Sequence, residues 1–417
     1  MIDPFAWLNE TERLLLELLN RNPAVPEPAA TALLGPSDWD RLLALAKIMR
    51  ISPLLYYRLR EKGLSHHLPD ACRSSLRQAC LDTTLRNLRA YGALRRLARL
   101  LEREDIPVIV LKGMFLADAV YRDIGLREMN DIDLLARPQH VQRIAELAGE
   151  LGYAPRVDVN QEDAEEIHLH LPRLIKEGEA GFEIHWNVTH SNRRYRIDPD
   201  ELWKRALPVK LQGTNVLAFC PEDMLLHLCL HTSYHHQFAF GLRPSCDIAE
   251  LLLWCGDRFD WDAVLERSER WGWGRGVYMA LLLAKKLVDA PVPGGITARL
   301  KPADITADIL NAAVSQVFTN SRIASTIPKP FADLILYERL GGKLGILLNR
   351  VFLPKRTMAV LYPACRGSWK IYVYYPRRLL DVLRRHGRTF RKIKQGDPEL
   401  LHLAKRKQLI DGFLQKI

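Results

Sequence analysis

Residues 127–135 read Arg127-Glu128-Met129-Asn130-Asp131-Ile132-Asp133-Leu134-Leu135, and a later segment reads Phe182-Glu183-Ile184-His185-Trp186. In the first segment an apolar residue separates two aspartates and two leucines follow, which predicts a short buried strand. Alternate side chains of a strand point to opposite faces, so we expect Asp131 and Asp133 on one face and Ile132 on the other. The later segment alternates in the same way and predicts a neighbouring strand that carries Glu183.

Two carboxylates about 7 Å apart on one strand face are costly to bury unless a cation lies between them. Mg²⁺ suits that position, because proteins usually bind it through one or two carboxylates together with substrate phosphates. Glu183 would supply a third carboxylate. The ordinary alternative is a pair of solvated aspartates at a strand end, a common arrangement that binds nothing.

The segment upstream favours a phosphate site. Residues 106–111 are apolar and largely β-branched, which predicts a strand, and this run ends in Lys112-Gly113. Residues 114–121 are amphipathic and predict a helix. A strand, a glycine turn and a helix start together present backbone N–H groups and the helix dipole to phosphate.

This order of features resembles the nucleotidyltransferase superfamily that includes DNA polymerase beta. It is most similar to a bacterial group usually labelled uncharacterised nucleotidyltransferases, over roughly residues 85–290. The matching positions are Leu111-Lys112-Gly113, Arg127, the two aspartates, Leu151-Gly152-Tyr153 and Glu183-Ile184-His185-Trp186. The resemblance implies an α/β (α+β) nucleotidyltransferase core with a small mixed sheet, flanked by N-terminal and C-terminal helical segments.

The resemblance also implies roles for individual residues. In that superfamily two aspartates bind the metals and a third carboxylate helps to activate the attacking hydroxyl. These roles carry over to Asp131, Asp133 and Glu183 as catalytic and metal-binding residues, with Mg²⁺ or Mn²⁺ as the cofactor. The superfamily normally has Gly-Ser at the turn, where the serine contacts the triphosphate. Here Lys112-Gly113 stands instead, and a lysine is a good point-charge partner for phosphate.

Arg127 and His185 are further candidate substrate-binding residues. The guanidinium of Arg127 could hold the triphosphate bidentately, or it could form a structural ion pair with Asp123 or Glu128. His185 shares a strand face with Glu183. It could orient that carboxylate or touch the substrate, or it could simply be half-buried beside the site.

Histidines recur in residues 227–236. His227, His231 and His235 are spaced by four residues, which puts them on one face of a helix that continues so far. We expect this face to border the nucleotide cleft, with His231 or His235 contacting phosphate or acceptor. Two alternatives are a transition-metal site and ordinary packing or surface histidines.

The composition is that of a globular protein of 417 residues, with 48% hydrophobic and 26% charged residues. The sequence contains no apolar run long enough to span a membrane and no recognisable secretory signal. The cysteines are odd in number and form no Cys-x-x-Cys pair, which favours a reducing, cytoplasmic location. They are Cys72, Cys80, Cys220, Cys229, Cys246, Cys255 and Cys365.

The net charge of +11 is concentrated near the C-terminus. Residues 335–417 contain 19 Lys and Arg against 5 Asp and Glu, and the rest of the chain contains 41 against 44. Aromatic residues at 369–375 precede a basic amphipathic stretch at 379–393. This pattern predicts contact with nucleic acid or an anionic membrane surface, and the alternative is a solvated helix packed by its apolar face.

Helical periodicity surrounds the predicted core on both sides. We predict four parts: an N-terminal helical segment (1–84), the catalytic core (85–218), a helical domain (219–334) and the basic tail (335–417). Leucine spacing predicts a long helix at 85–101, and residues 139–151 predict a helix that Gly152 ends. Residues 167–171 alternate as a strand, and with the turn at 176–181 they predict a β-hairpin that includes Glu183.

These inferences predict a metal-dependent nucleotidyltransferase that transfers an NMP group from an NTP, such as ATP, to an acceptor hydroxyl and releases pyrophosphate. The acceptor would be a small molecule, RNA or a protein side chain. The alternative from another class is a nucleotide-binding pseudoenzyme or scaffold without transfer activity, which the missing Gly-Ser favours.

Overall fold

The computed structural model describes residues 8–21, 34–156, 170–189, 197–319, 352, 358, 372–381 and 397–416. Most of the basic tail, the prolines after the first helix and the predicted strand residues 167–169 lie outside these residues. Among the described residues, six cysteines are free, with no disulfide, and no helix has the length and apolarity needed to cross a membrane.

The chain begins with helices, as the leucine spacing predicts. They are α1 (Glu10–Leu19), α2 (Pro36–Ile48), α3 (Ser52–Glu61) and α4 (Asp70–Arg103). α1 starts with a capping box, in which the side chains of Asn9 and Glu12 each accept a hydrogen bond from the other residue's backbone N–H. α4 contains the predicted helix at 85–101 and is longer than predicted. Its leucines Leu76, Leu94, Leu97 and Leu101 are buried.

Short strands and helices alternate after α4. They are β1 (Ile109–Val110), α5 (Gly113–Phe115) with a π-helical turn (Leu116–Val120), β2 (Asp131–Leu135), α6 (Val141–Glu150), β3 (Ala154–Pro155), β4 (Leu174–Ile175), β5 (Gly181–His185), α7 (Pro199–Arg205), β6 (Leu207–Leu211) and β7 (Thr214–Ala218). Among the described residues the seven strands form one mixed sheet in the order β3-β4-β5-β2-β1-β7-β6. The α/β class with a small mixed sheet is therefore confirmed.

The middle of the sheet joins the segments singled out in the sequence. β2 lies between β5, to which it is parallel, and β1, to which it is antiparallel. Ile132, Leu134, Phe182 and Ile184 are fully buried on one face of this strand pair. The acidic residues occupy the opposite face, because strand side chains alternate.

The hairpin differs in part from its prediction. β4 (Leu174–Ile175), which follows the strand predicted at 167–171, pairs antiparallel with β5 through a turn at 176–180. Of that predicted strand, His170 forms an isolated bridge with His185. The backbone N–H of Leu171 also donates to the Ile184 oxygen at 3.0 Å, so residues 170 and 171 lie beside β5 as the predicted hairpin requires, and residues 167–169 lie outside the described residues.

The chain returns to helices after β7. These are α8 (Pro221–Leu230), a π-helical turn (His231–His235), α9 (Arg243–Cys255), α10 (Trp261–Arg270), α11 (Gly274–Val288), α12 (Gly294–Leu300), α13 (Ala307–Phe318) and α14 (Pro398–Leu414). Buried side chains from α1 to α14 belong to one hydrophobic cluster. The predicted boundary at residue 84 falls inside α4, and the four-part division stays a prediction.

Candidate functional site

The strand register brings the acidic residues together. β2 and β5 pair in parallel with Asp131 opposite Gly181 and Asp133 opposite Glu183. The ligand atoms of Asp133, Glu183 and His185 all lie within 4.8 Å of one another. We call Asp131, Asp133, Glu183 and His185 the carboxylate site. Its members share one sheet face because each strand contributes alternate residues.

The carboxylates of this site perturb one another. Burial raises the pKa of Glu183 to about 8, and the charges of Asp133 and Asp131 add to this effect. Burial and the neighbouring Asp133 also raise the pKa of Asp131. Burial acts in the same direction on Asp133, but the positive charge of Lys112 and a hydrogen bond from His185 outweigh it, so the pKa of Asp133 is lowered. The site thus concentrates negative charge on a buried surface.

His185 contacts the aspartate as well as the glutamate. Its Nε2 lies 3.1 Å from Asp133 Oδ1 and 3.7 Å from Glu183 Oε2. Burial lowers the pKa of His185 to about 4, although the hydrogen bond to Asp133 opposes this change. The ring is therefore neutral near pH 7, and its Nε2–H donates to Asp133. The His170 ring packs edge-on against His185, with centroids 4.9 Å apart.

The turn after β1 faces the same acids. Lys112 Nζ lies 3.8 Å from Asp133 Oδ1, and the lysine backbone has a φ of +41°, an unfavourable conformation for a residue with a Cβ. Gly113 follows with no room for a side chain, since a Cβ there would lie 2.8 Å from Arg127 Nη1 and 3.2 Å from Met129 Sδ. Of the strand predicted at 106–111 the structure forms the two-residue β1, and in place of the single helix predicted at 114–121 it forms α5 followed by the π-helical turn at 116–120.

Arg127 forms a buried ion pair. Its Nε and Nη2 donate to the two carboxylate oxygens of Asp247 on α9, at 2.9 and 2.8 Å. Tyr121 donates to the same carboxylate at 3.0 Å. The structural ion pair weighed for Arg127 therefore forms, but its partner is Asp247 rather than Asp123 or Glu128. This partner could not be predicted from the sequence, because Arg127 and Asp247 are 120 residues apart in the chain.

The histidine segment departs from the expected single helix face. α8 ends at Leu230, and the π-helical turn that follows shifts the spacing from four residues to five. His231 consequently meets His236, with the two Nε2 atoms 3.0 Å apart, while its ring lies 6.0 Å from that of His235. His227 is 4% exposed and neither of its ring nitrogens has a hydrogen-bond partner in the described residues. Burial, followed by the charge of Lys112, lowers the pKa values of His227, His231 and His236.

Two arginines near the carboxylate site were missed by sequence reasoning. Arg173 donates to the Asn130 backbone oxygen, and its charge acts on Asp131 and Glu183. Arg243, the first residue of α9, donates to the Glu128 backbone oxygen at 3.0 Å and acts on Asp131. Gly181 gives Arg173 its space, because a Cβ there would lie 2.6 Å from Arg173 Nε. No local motif marks either arginine.

The residues of the carboxylate site fit a divalent metal. Oxygen atoms of Asp133 and Glu183 converge beside His185, whose Nε2–H donates to Asp133, and Asp131 lies two residues along the same strand face. Burial, and then the charges of Asp133 and Asp131, raise the pKa of Glu183, so a bound cation would favour the ionised carboxylate. A cation ligated by carboxylate oxygens would supply it, and hard oxygen donors suit Mg²⁺ or Mn²⁺.

Comparison with known proteins gives one match. A family model described as an uncharacterised nucleotidyltransferase matches residues 35–289, which include the carboxylate site, the Lys112-Gly113 turn and the histidine segment. No curated protein and no solved structure matches the chain.

Proposed function

The chain belongs to the family of uncharacterised nucleotidyltransferases, and from this we propose that it transfers an NMP group from an NTP to an acceptor hydroxyl in a reaction that depends on Mg²⁺ or Mn²⁺. The observation that carries the proposal is the meeting of Asp133, Glu183 and His185 on one sheet face, beside Asp131 and next to a lysine-glycine turn. The acceptor oxygen bonds to the α-phosphorus, the bond from that phosphorus to the bridging oxygen breaks, and pyrophosphate leaves.

Each residue of the site has a role in this proposal. Asp131 and Asp133 would hold the divalent metal, with Glu183 as the third carboxylate of the set. The metal, when bound, would neutralise the phosphates and stabilise the charge that develops on the attacking and leaving oxygens. Glu183 would either ligate a second metal or accept the proton of the acceptor hydroxyl. His185 orients Asp133 through its Nε2–H.

The turn supplies the contact to the donor in this proposal. The ammonium group of Lys112 would face the donor phosphates. Gly113, which has no side chain, would let the phosphate oxygens approach the backbone at the start of α5. His231 and His235, at the π-helical turn after α8, are proposed to contact phosphate or acceptor. Arg127 supports the site through Asp247, because its guanidinium is already occupied by that carboxylate.

The experiment is a transfer assay with labelled ATP, GTP, CTP and UTP in Mg²⁺ or Mn²⁺, using total RNA, protein and small-metabolite fractions as acceptors. We expect label in one fraction with the wild type and none with Asp131→Ala or Asp133→Ala, both of which should remain folded by circular dichroism. Asp262→Ala, which removes a carboxylate that is 87% exposed, is the matched control and should keep full activity.

The outcomes separate the candidate functions. Near-wild-type turnover in either site variant would contradict the mechanism. Nucleotide binding without transfer in any fraction would instead support the binding-protein alternative. The labelled fraction itself identifies the acceptor class.

A further inference from the structure

Two arginines and two histidines surround a single phenyl ring beside the carboxylate site. The guanidinium carbons of Arg50 and Arg243 lie 4.6 and 4.8 Å from the centroid of the Phe240 ring. The His236 ring lies 4.5 Å from the same centroid, and the His231 ring 5.8 Å. We call these five residues the arginine–histidine cluster. They come from the α2–α3 connection, the π-helical turn, the loop after it and the start of α9.

The cluster adjoins the catalytic acids. The charge of Arg243 acts on Asp131, and the charge of Lys112 acts on both His231 and His236. Arg243 also donates to the backbone oxygen of Glu128, in the loop that leads into β2. The cluster and the carboxylate site therefore lie within electrostatic reach of each other.

The cluster carries positive charge without a matching anion. In the part of the chain that the structure describes, neither Arg50 nor Arg243 has a carboxylate within ion-pair distance. Burial lowers the pKa of Arg243 to about 10, the charges of Arg127 and Arg50 act in the same direction, and the more distant charges of Asp247 and Asp131 only partly oppose them. The Nε of Arg243 is buried and has no hydrogen-bond partner in the described residues. Buried polar atoms in folded proteins are normally hydrogen-bonded, so the buried Nε of Arg243, beside a second arginine that also has no ion-pair partner among the described residues, indicates a place for an anion.

The backbone around the cluster is strained. Among the described residues eight non-glycine residues have a positive φ, and Arg50, Gln237 and Phe238 are three of them, at 58°, 45° and 64°. Gly241 has a φ of +75°, and a Cβ there would lie 2.8 Å from the Met49 backbone oxygen. The loop is thus pressed against the residue before Arg50. Such conformations cost free energy and persist where the surrounding structure holds them, which is characteristic of binding sites.

We propose that the arginine–histidine cluster is an anion subsite that binds a phosphate group of a substrate. The phosphate would accept hydrogen bonds from the free N–H groups of Arg243 and Arg50 and from an imidazole N–H of the His231–His236 pair. Guanidinium groups suit this ligand because their donors match phosphate oxygens in geometry and remain charged. The phosphate belongs either to the donor's triphosphate or to an acceptor that itself carries phosphate, and only this choice of source rests on the proposed function.

The test measures anion binding without catalysis. Tripolyphosphate, inorganic phosphate and ATP are titrated calorimetrically into the full chain in EDTA. The variants are Arg50→Asn, which removes the guanidinium and keeps a residue that tolerates positive φ, and Arg243→Gln. The matched control is Arg143→Gln on α6, because Arg143 forms an exposed ion pair with Glu104, the residue after α4. We expect each cluster variant to bind the anionic probes about tenfold or more weakly and the control to bind as the wild type does.

The results show whether the cluster binds an anion and, if it does, which substrate supplies the phosphate. Weakened binding of ATP together with tripolyphosphate assigns the subsite to the donor. Weakened binding of inorganic phosphate with unchanged ATP affinity assigns it to the acceptor. No anion binding by the wild type, or equal binding by wild type, Arg50→Asn and control, overturns the inference. Arg50→Asn keeps the test valid if Arg243→Gln does not fold. Because no metal or turnover is needed, absence of NMP transfer would contradict the proposed function and leave this result standing.

Discussion

If Glu183 is a metal ligand as proposed, metal binding at the carboxylate site should depend on pH. Its pKa is raised to about 8 by burial and by Asp133 and Asp131. A carboxyl group must release its proton to bind a cation, so the metal competes with that proton below the pKa and not above it. We expect the affinity for Mn²⁺ to rise from about pH 6.5 to about pH 8.5 and then to level off. Calorimetric titration measures this rise, and Glu183→Gln should flatten it. A flat profile in the wild type would contradict the assignment of Glu183 as a ligand.

Replacing glycine by alanine should lower the stability of the protein at Gly113 and raise it at Gly149. A Cβ at Gly113 would lie 2.8 Å from Arg127 Nη1 and would displace the buried ion pair, so Gly113→Ala should lose about 1–3 kcal/mol of stability. At Gly149, in the last turn of α6, a Cβ would have no atom within 4 Å apart from its chain neighbours and the adjacent backbone of the helix. Gly149→Ala should gain about 0.5–1 kcal/mol through helix propensity. Thermal unfolding followed by circular dichroism compares them, and equal effects would show that the turn has room to adjust.

At the level of elements, one ion pair ties the loop before β2 to α9. Arg127 and Asp247 are 6% and 3% exposed at their side chains. Removing one partner of such a pair leaves the other charge buried, so Arg127→Met should destabilise the protein by about 3–5 kcal/mol. Arg137→Met removes an exposed pair with Asp200 and should cost at most about 1 kcal/mol. Urea denaturation measures both changes.

The same experiment separates the two interpretations of Arg127. Asp247→Leu added to Arg127→Met removes both buried charges and should recover part of the lost stability. A structural role predicts this recovery. If Arg127→Met instead unfolds like the wild type but binds nucleotide poorly, the triphosphate contact is the correct interpretation.

The parts of the site that could be predicted from the sequence are those where the spacing of residues follows the period of a strand. Period two placed Asp131 and Asp133 on one face, and the two segments of alternating residues became adjacent strands. The π-helical turn at 231–235 was not predictable, because histidines four residues apart fit a continuing α-helix and the shifted hydrogen bonds leave no mark in the sequence. Arg243 and Arg50 were missed for another reason. Their site forms only when distant segments pack together.

At the scale of the whole molecule, the C-terminal end is part of the core. Ile410, Phe413 and Leu414 on α14 are buried in the main hydrophobic cluster. Lys416 forms an ion pair with Asp304 at 2.8 Å, and Arg275 lies over the Phe413 ring. Deleting residues after 335 to test RNA binding would therefore remove part of the core together with the basic charge, and loss of binding would have two explanations.

Two substitutions on α14 separate these two effects. Phe413 is 2% exposed and Leu409, on the same helix, is 39% exposed. Phe413→Ala should lower stability by about 3–5 kcal/mol, whereas Leu409→Ala should change it much less. Thermal unfolding of the full chain checks this difference, and equal effects would mean that packing of α14 does not stabilise the protein.

If α14 does stabilise the protein, the RNA-acceptor hypothesis is best tested by changing Arg384, Arg385 and Arg388 to glutamine in the intact chain. Binding to RNA should then weaken with a smaller dependence on salt, because fewer phosphates are neutralised.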